Sequence, residues 1–187
     1  MSTAAQSAQE TTIANLLTAY NGESNACARY GAFAARAEAE GFFQVASLFR
    51  ATSRAEQIHA YKQANVIRSL GGKSVLTLEM PEVKTTAENL KVAIAGEEYE
   101  FQTMYPEFVK QAEATNADIT VMRALKGAML TEVEHAKLYK AALAGLKPAA
   151  AKATYYVCPV CGYTADHLGF DNCPICKVLK EKFEAIQ

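Results

Sequence analysis

Two of the three histidines in this chain follow a glutamate by three positions: Glu56 and His59 in RAEQIHAY, Glu132 and His135 in TEVEHAKLY. Residues three apart on a helix share a face, so each Glu-x-x-His pair delivers one carboxylate oxygen and one imidazole nitrogen to the same point in space. Glu23 in GESNACARY and Glu97 in AIAGEEYEFQTMYPEF hold similar positions on otherwise apolar helical stripes, and Glu100 lies one turn beyond Glu97. Five carboxylates withdrawn from water would be very costly without compensating positive charge, and few basic side chains fall on those stripes. Metal cations meet the need. Mixed carboxylate and imidazole ligation suits iron or manganese, and a carboxylate can bridge two ions. Cys27 and Tyr30 read as core positions and not as ligands, and the hydroxyls of Tyr30 and Tyr105 could hydrogen-bond a ligand carboxylate.

A second metal signal stands at the C-terminal end. Cys158-Pro-Val-Cys161-Gly162 and Cys173-Pro-Ile-Cys176 are two Cys-x-x-Cys knuckles. Together they predict a tetrahedral four-thiolate site whose binding energy also folds so small a unit. The spacing admits zinc or a single iron. Beside a redox-capable carboxylate site, an iron that passes one electron makes the more functional sense. Four thiolates fill such a site, so His167, between the knuckles, is assigned to the surface.

These residues need long elements to position them, and the sequence supplies helices. Alanine, leucine, glutamate, glutamine, lysine and arginine dominate the first 147 residues, with glycine and proline sparse. Apolar periodicity predicts one helix from about Ile13 to Ala39 and a second from Phe43 to Leu70, closed by Gly71-Gly72. A non-periodic stretch follows, long enough to cross the length of a bundle, until Thr85-Thr86-Ala87-Glu88 offers a capping box. The third helix carries Leu90, Ala93, Glu97, Glu100, Met104 and Phe108 on one stripe, with Pro106 expected to kink it. The fourth, capped by Asn116 or Asp118, aligns Val121, Leu125, Ala128, Glu132, His135 and Tyr139 and ends near Gly145. Gly22-Glu23 and Gly96-Glu97 each precede a Glu-x-x-His, which makes the two hairpins a weak internal repeat about a pseudo-twofold axis. Glu98, Glu107 and Glu134 fall off the stripes and are assigned to the surface.

The expected organisation is mainly α: a four-helix bundle over residues 1–147, a linker over 148–153 and a small metal-binding unit over 154–187. A bundle giving one Glu from each of two helices and Glu-x-x-His from each of the other two has the ligand set of di-iron and di-manganese carboxylate proteins. A net charge of -1, from 19 basic and 20 acidic side chains, offers no field for nucleic acid. The N-terminal residues lack the pattern of a secretory signal and no long apolar run occurs, so no membrane partner and a cytoplasmic location are expected.

The motifs quoted above and the cysteine tail together resemble the rubrerythrin family over essentially the whole chain. Glu100 carries much of the likeness, because a second carboxylate one turn after the first resembles that family's site more than a ferritin's. The resemblance implies a ferritin-like bundle with a rubredoxin-like tail, and a non-haem di-iron peroxidase that reduces hydrogen peroxide to water with electrons passed through the tail iron. It implies that Glu56 and Glu132 bridge two irons, that Glu23, Glu97 and His135 are terminal ligands, and that Glu100 and His59 exchange at one iron. Cys158, Cys161, Cys173 and Cys176 would hold a single iron, or zinc in some preparations. An external reductase or rubredoxin would supply electrons, and a homodimer or higher homo-oligomer would bring the tail of one subunit to the centre of another. Lys177 departs from the pattern, since glycine usually follows the last cysteine of a rubredoxin knuckle; the change is expected to remove a close backbone approach to sulfur and shift the iron potential. The rival readings are a ferritin-like ferroxidase or iron store, a non-catalytic scaffold with a zinc-binding tail, and a substrate-oxidising di-iron oxygenase. Glu100 and the tail weigh against the first, iron content separates the second, and the third needs an apolar pocket beside the irons.

Overall fold

The structure, a computed structural model, describes residues 3–148 and 151–187. Helix α1 spans Thr3–Ala39 and α2 Phe43–Ser69. The third bundle helix is α3, Thr86–Tyr99, then a π-helical turn, Glu100–Met104, then α4, Tyr105–Ala114. The fourth is α5, Ile119–Ala144. The predicted bundle is present, with differences at two places.

Helix α1 begins well ahead of Ile13. The added turns are rich in alanine, and they are fastened where Gln9 donates to the Leu70 carbonyl at 2.8 Å across the hairpin. The third helix is interrupted by a π turn and not by a simple proline kink: the Tyr105 amide bonds back to the Glu100 carbonyl, five residues away. Pro106, in the first turn of α4, has no amide hydrogen to give to the ladder.

The helix ends follow the sequence closely. Gly41 and Gly71 adopt φ of +80° and +81°, and the amides of Phe42 and Gly72 reach back to the carbonyls of Ala37 and Ile67. Thr85 and Glu88 form the reciprocal capping box, and Asp118 caps α5 by accepting from the Thr120 amide at 2.7 Å. Between α2 and α3 the chain crosses the bundle in extended form, held on α1 by two amide side chains. Asn21 pairs with the carbonyl of Val75 and the amide of Thr77, and Asn25 does the same one step on, with Thr77 and Glu79.

The bundle core is divided in two. One apolar cluster gathers Leu16, Ile67, Met104, Val109, Val121 and Leu125; the other gathers Tyr30, Phe33, Phe49, Leu90 and Tyr139. Between them lies a polar layer of fully buried side chains, Glu23, Glu56, His59, Glu97, Glu132 and His135. On α1 the buried face runs through Leu16, Ala19, Glu23, Ala26, Tyr30 and Phe33, which turns Tyr20 and Cys27 toward its edge.

The tail is a three-stranded antiparallel sheet, β1 Tyr155–Val157, β2 Thr164–Ala165 and β3 Glu184–Ile186, in the order β2-β1-β3. Its own core is the buried cysteines with Tyr163, Val178 and Phe183 around them. The tail seats on α2, where Val157, Tyr155 and Ile186 pack on Ala51, Ala55 and Ile58. Beside that patch Arg54 forks onto Glu184, with Nε and a terminal nitrogen 2.7 and 2.9 Å from its two oxygens. This contact is made within one chain. Part of the expected linker, residues 149–150, lies outside the described residues, and among those described no helix is long and apolar enough to cross a membrane.

Candidate metal centres

Four helices each contribute to the buried layer at mid-length: α1 brings Glu23, α2 brings Glu56 and His59, α3 brings Glu97, and α5 brings Glu132 and His135. The side chains sort into two groups of four, Glu23-Glu56-His59-Glu132 and Glu56-Glu97-Glu132-His135, whose donor atoms all lie within 4.8 Å of one another in each group. The two shared members face both ways. Glu56 turns Oε2 to His59 Nδ1 at 2.9 Å and Oε1 to His135 Nδ1 at 3.2 Å. Glu132 turns Oε1 to His59 Nδ1 at 3.0 Å and Oε2 to His135 Nδ1 at 2.8 Å. Glu23 and Glu97 close the two ends, 3.8 and 3.6 Å from the respective Nδ1 atoms.

Each terminal carboxylate is held by a tyrosine from the opposite hairpin. Tyr30 on α1 donates to Glu97 at 2.6 Å, and Tyr105 at the start of α4 donates to Glu23. Glu23 precedes Tyr30 by seven positions but Glu97 precedes Tyr105 by eight, and the π turn absorbs the extra residue. Gln63, one turn beyond His59 on α2, donates to Tyr105 at 2.8 Å and approaches Glu23 at 3.4 Å.

The electrostatics of the layer ask for positive charge. Burial, reinforced by the charge of Glu132, pushes Glu56 up to about 7. Burial alone would favour neutral imidazoles, yet the surrounding carboxylates hold both His59 and His135 well above the ordinary histidine range. Glu23 is also penalised by burial, but the bond and charge of His59 bring it below the usual carboxylate value. Glu23 Oε2, Glu56 Oε1, Glu97 Oε2, both oxygens of Glu132 and His135 Nδ1 are buried without a hydrogen-bond partner, although they crowd together. Convergent oxygen and nitrogen donors that do not satisfy one another are what a pair of cations requires, so these residues fit a dinuclear metal site.

Glu100 stands outside both groups of four. It is half-buried, its Oε1 lies 3.8 Å from where a Cβ on Gly22 would be, and burial and then the charge of Glu23 raise its carboxyl well above the ordinary range. It therefore borders the Glu23 and His59 half of the layer. Glu98 and Glu134 form surface ion pairs with Lys140 and Lys137, and Glu107 is exposed, as the sequence predicts. Cys27 is half-buried and bonds Ser53, away from the layer.

In the tail, Cys158, Cys161, Cys173 and Cys176 form a third candidate group, with sulfurs 3.5 Å apart in two pairs. The neighbouring sulfurs and burial push the Cys161 thiol far up, while bonds from Cys158 and Cys161 lower Cys173 to about 2. Such a cluster holds all four sulfurs as thiolates only around a cation. His167 is exposed and pairs with Asp166, apart from this group.

What the sequence did not reveal is how the two centres meet. His59 Nε2 lies 2.8 Å from the carbonyl oxygen of Cys161, a thiolate residue of the tail. His135 Nε2 lies 3.3 Å from the carbonyl of Gly162 and 3.2 Å from the hydroxyl of Thr164. Each imidazole thus turns Nδ1 into the acid layer and Nε2 to the tail backbone, an outer contact that fixes the ring. Main-chain carbonyls carry no side-chain signature, so no motif announced them.

Comparison with known proteins agrees with this geometry. A family model described as Rubrerythrin matches residues 14–143, and one described as Rubrerythrin, rubredoxin-like domain, matches residues 156–184. The chain is similar to nigerythrin of Nitratidesulfovibrio vulgaris, 35% identical over 175 residues that cover 93% of this chain and 86% of the relative. It is similar to rubrerythrin-2 of Clostridium acetobutylicum, 35% identical over 176 residues, 91% of this chain and 94% of the relative. A solved structure of nigerythrin in its fully reduced, all-ferrous state superposes with a TM-score of 0.86 at 35% identity, over 93% of this chain and 86% of that one.

Proposed function

The chain belongs to the rubrerythrin family, and from that premise we propose that it is a non-haem di-iron peroxidase of oxidative-stress defence, reducing hydrogen peroxide to water with electrons received through its rubredoxin-like tail. The residues that would hold the paired irons are Glu23, Glu56, His59, Glu97, Glu132 and His135, with Glu56 and Glu132 common to both donor groups and Glu100 a further carboxylate that could serve beside His59. Cys158, Cys161, Cys173 and Cys176 would hold the tail iron. When bound, the paired ferrous ions supply the two electrons that cleavage of one peroxide to two waters consumes, and the tail iron supplies electrons one at a time.

The chain's own residues do the positioning. Tyr30 and Tyr105 hold the terminal carboxylates by their hydroxyl protons, which burial and the charge of Glu97 or Glu23 keep firmly on the phenols. The apolar clusters on either side of the layer exclude bulk water from it. Cys161 and Gly162 hold the two histidines from outside. An external reductase or rubredoxin is the proposed electron donor, and a homodimer or higher homo-oligomer in the cytoplasm the working form.

The observation that carries this reading is the seat of the tail, which joins a thiolate residue of one centre to a histidine of the other through one hydrogen bond. An iron store has no use for that contact. The test is to reduce the iron-loaded protein without oxygen, add substoichiometric hydrogen peroxide or dioxygen in separate runs, and follow the ferric-thiolate colour of the tail. Fast recolouring by peroxide and slow recolouring by dioxygen support the peroxidase. A faster reaction with dioxygen moves the assignment to a ferroxidase or oxidase, and a colourless tail moves it to a zinc scaffold.

A further inference from the structure

The two knuckles of the tail are built alike. The amide of Gly162 bonds the Cys158 carbonyl at 3.0 Å, and the amide of Lys177 bonds the Cys173 carbonyl at 3.0 Å. The amides of Cys158 and Cys173 in turn bond the carbonyls of Tyr163 and Val178. Both residues that follow the second cysteine are left-handed, Gly162 at φ +80° and Lys177 at φ +66°. In the second knuckle a lysine occupies that position, its Nζ reaching the Pro174 carbonyl at 3.0 Å. The bend itself therefore accepts a side chain, at the modest strain of a left-handed non-glycine residue.

What separates the two positions is their surroundings. Lys177 faces solvent, while Gly162 is buried against α2 and α5. A Cβ built on Gly162 would stand 2.4 Å from His59 Nε2, 3.0 Å from its Cδ2 and 3.1 Å from its Cε1. That imidazole cannot step aside. Its Nδ1 is lodged between Glu56 and Glu132, and its Nε2 between the Cys161 carbonyl and Thr131 Oγ1 at 3.0 Å. With the ring fixed, the tail itself must move.

We propose that Gly162 is the positioning residue of the tail: its missing side chain lets the first knuckle close on His59, while the requirement for glycine in the metal knuckle as such is weak. The docking role stands on packing alone; its consequence for electron delivery rests on the peroxidase reading above.

The experiment compares wild type with Gly162→Ala, Lys177→Ala, His59→Ala and the double variant His59→Ala with Gly162→Ala. Lys177→Ala places the same residue in the same backbone region with no ring to meet. Cobalt(II) titration reads the four-sulfur site through its thiolate-to-cobalt absorption, and nuclear relaxation of the zinc-loaded full chain reads whether tail and bundle tumble together. Gly162→Ala is expected to keep the cobalt spectrum and lose the shared tumbling time. Lys177→Ala is expected to keep both, and the double variant to regain the tumbling of His59→Ala alone. A Gly162→Ala tail that still tumbles with the bundle overturns the proposal, as does loss of its cobalt site, which would return the need for glycine to the knuckle. Under the peroxidase reading, Gly162→Ala also slows recolouring of the tail by peroxide. If the wild-type tail is not recoloured at all, that reading fails while the docking result stands.

Discussion

The two tyrosines that brace the acid layer look equivalent by symmetry, yet removing their hydroxyls should not cost the same. Tyr30 is the hydrogen-bond donor to Glu97 Oε1, and Tyr30→Phe keeps the ring's packing against Phe33, Phe49 and Tyr139 while stripping that oxygen of its partner. A buried hydrogen bond to a charged group contributes about 1.5–3 kcal/mol. At about 2–4 °C per kcal/mol for a chain of this size, the metal-free protein should lose roughly 3–12 °C. Tyr105 shares its carboxylate with Gln63, whose Nε2 already stands 3.4 Å from Glu23 Oε1. In Tyr105→Phe that amide loses its phenol acceptor and turns to the glutamate, so the loss falls to about 0.5–1.5 kcal/mol. Adding Gln63→Leu removes the substitute and should bring the deficit up to the Tyr30→Phe level. Urea unfolding of the metal-free proteins, followed by helical circular dichroism, gives the three values on one scale. Equal losses for the two single variants, or a Tyr30→Phe loss under about 0.5 kcal/mol, would refute the assigned hydrogen-bond roles.

His59→Ala and Glu100→Ala should each keep the fold, read by circular dichroism, and slow peroxide turnover; wild-type rates in both would remove them from the ligand set. Cys158→Ser or Cys173→Ser should abolish the ferric-thiolate colour while the bundle site can still be reduced chemically, and a thiolate spectrum that survives would contradict a four-sulfur site. The Arg54 fork holds the Glu184 carboxyl below its ordinary range, so its contribution to docking is present above the free-glutamate pKa of about 4.3 and is lost as pH falls through the lowered value. The gap in tail docking between wild type and Arg54→Ala should therefore be constant near neutrality and close on acidification; a gap that persists in acid would show that Arg54 acts by packing alone.

The acid layer was legible because helical period and ligand spacing coincide: Glu56 with His59 and Glu132 with His135 must share a face, and Glu23 and Glu97 sit where apolar side chains would otherwise go. The crossover, the capping box at Thr85 and the glycine stop at Gly71 were legible for the same local reason. The π turn left no trace in composition, since any residue can widen a helix by one. Its signal was the spacing of eight from Glu97 to Tyr105 against seven from Glu23 to Tyr30, visible only once the two hairpins are laid over each other. Asn21 and Asn25 carry no signal in the sequence because their partners are backbone atoms some fifty residues away. The tail's seat was hidden for a related reason, since it is made by carbonyls, small residues on α2 and the absence of a side chain at Gly162.

Those carbonyls also bear on the chemistry of the layer. A neutral imidazole has one N–H, and a carbonyl accepts only from a nitrogen that carries it. While the tail is docked, His59 must keep its proton on Nε2, and the bonds of His135 to Gly162 and Thr164 ask the same of that ring. Each Nδ1 then holds either a second proton or a lone pair aimed at carboxylate oxygens about 3 Å away. The lone pair is tolerable only with a cation between, and the surrounding carboxylates by themselves hold both histidines well above their ordinary range. Docking of the tail thus selects the tautomer that offers Nδ1 inward, and a cation entering the layer has to displace a proton from Nδ1 and leave the Nε2 bonds to the tail undisturbed.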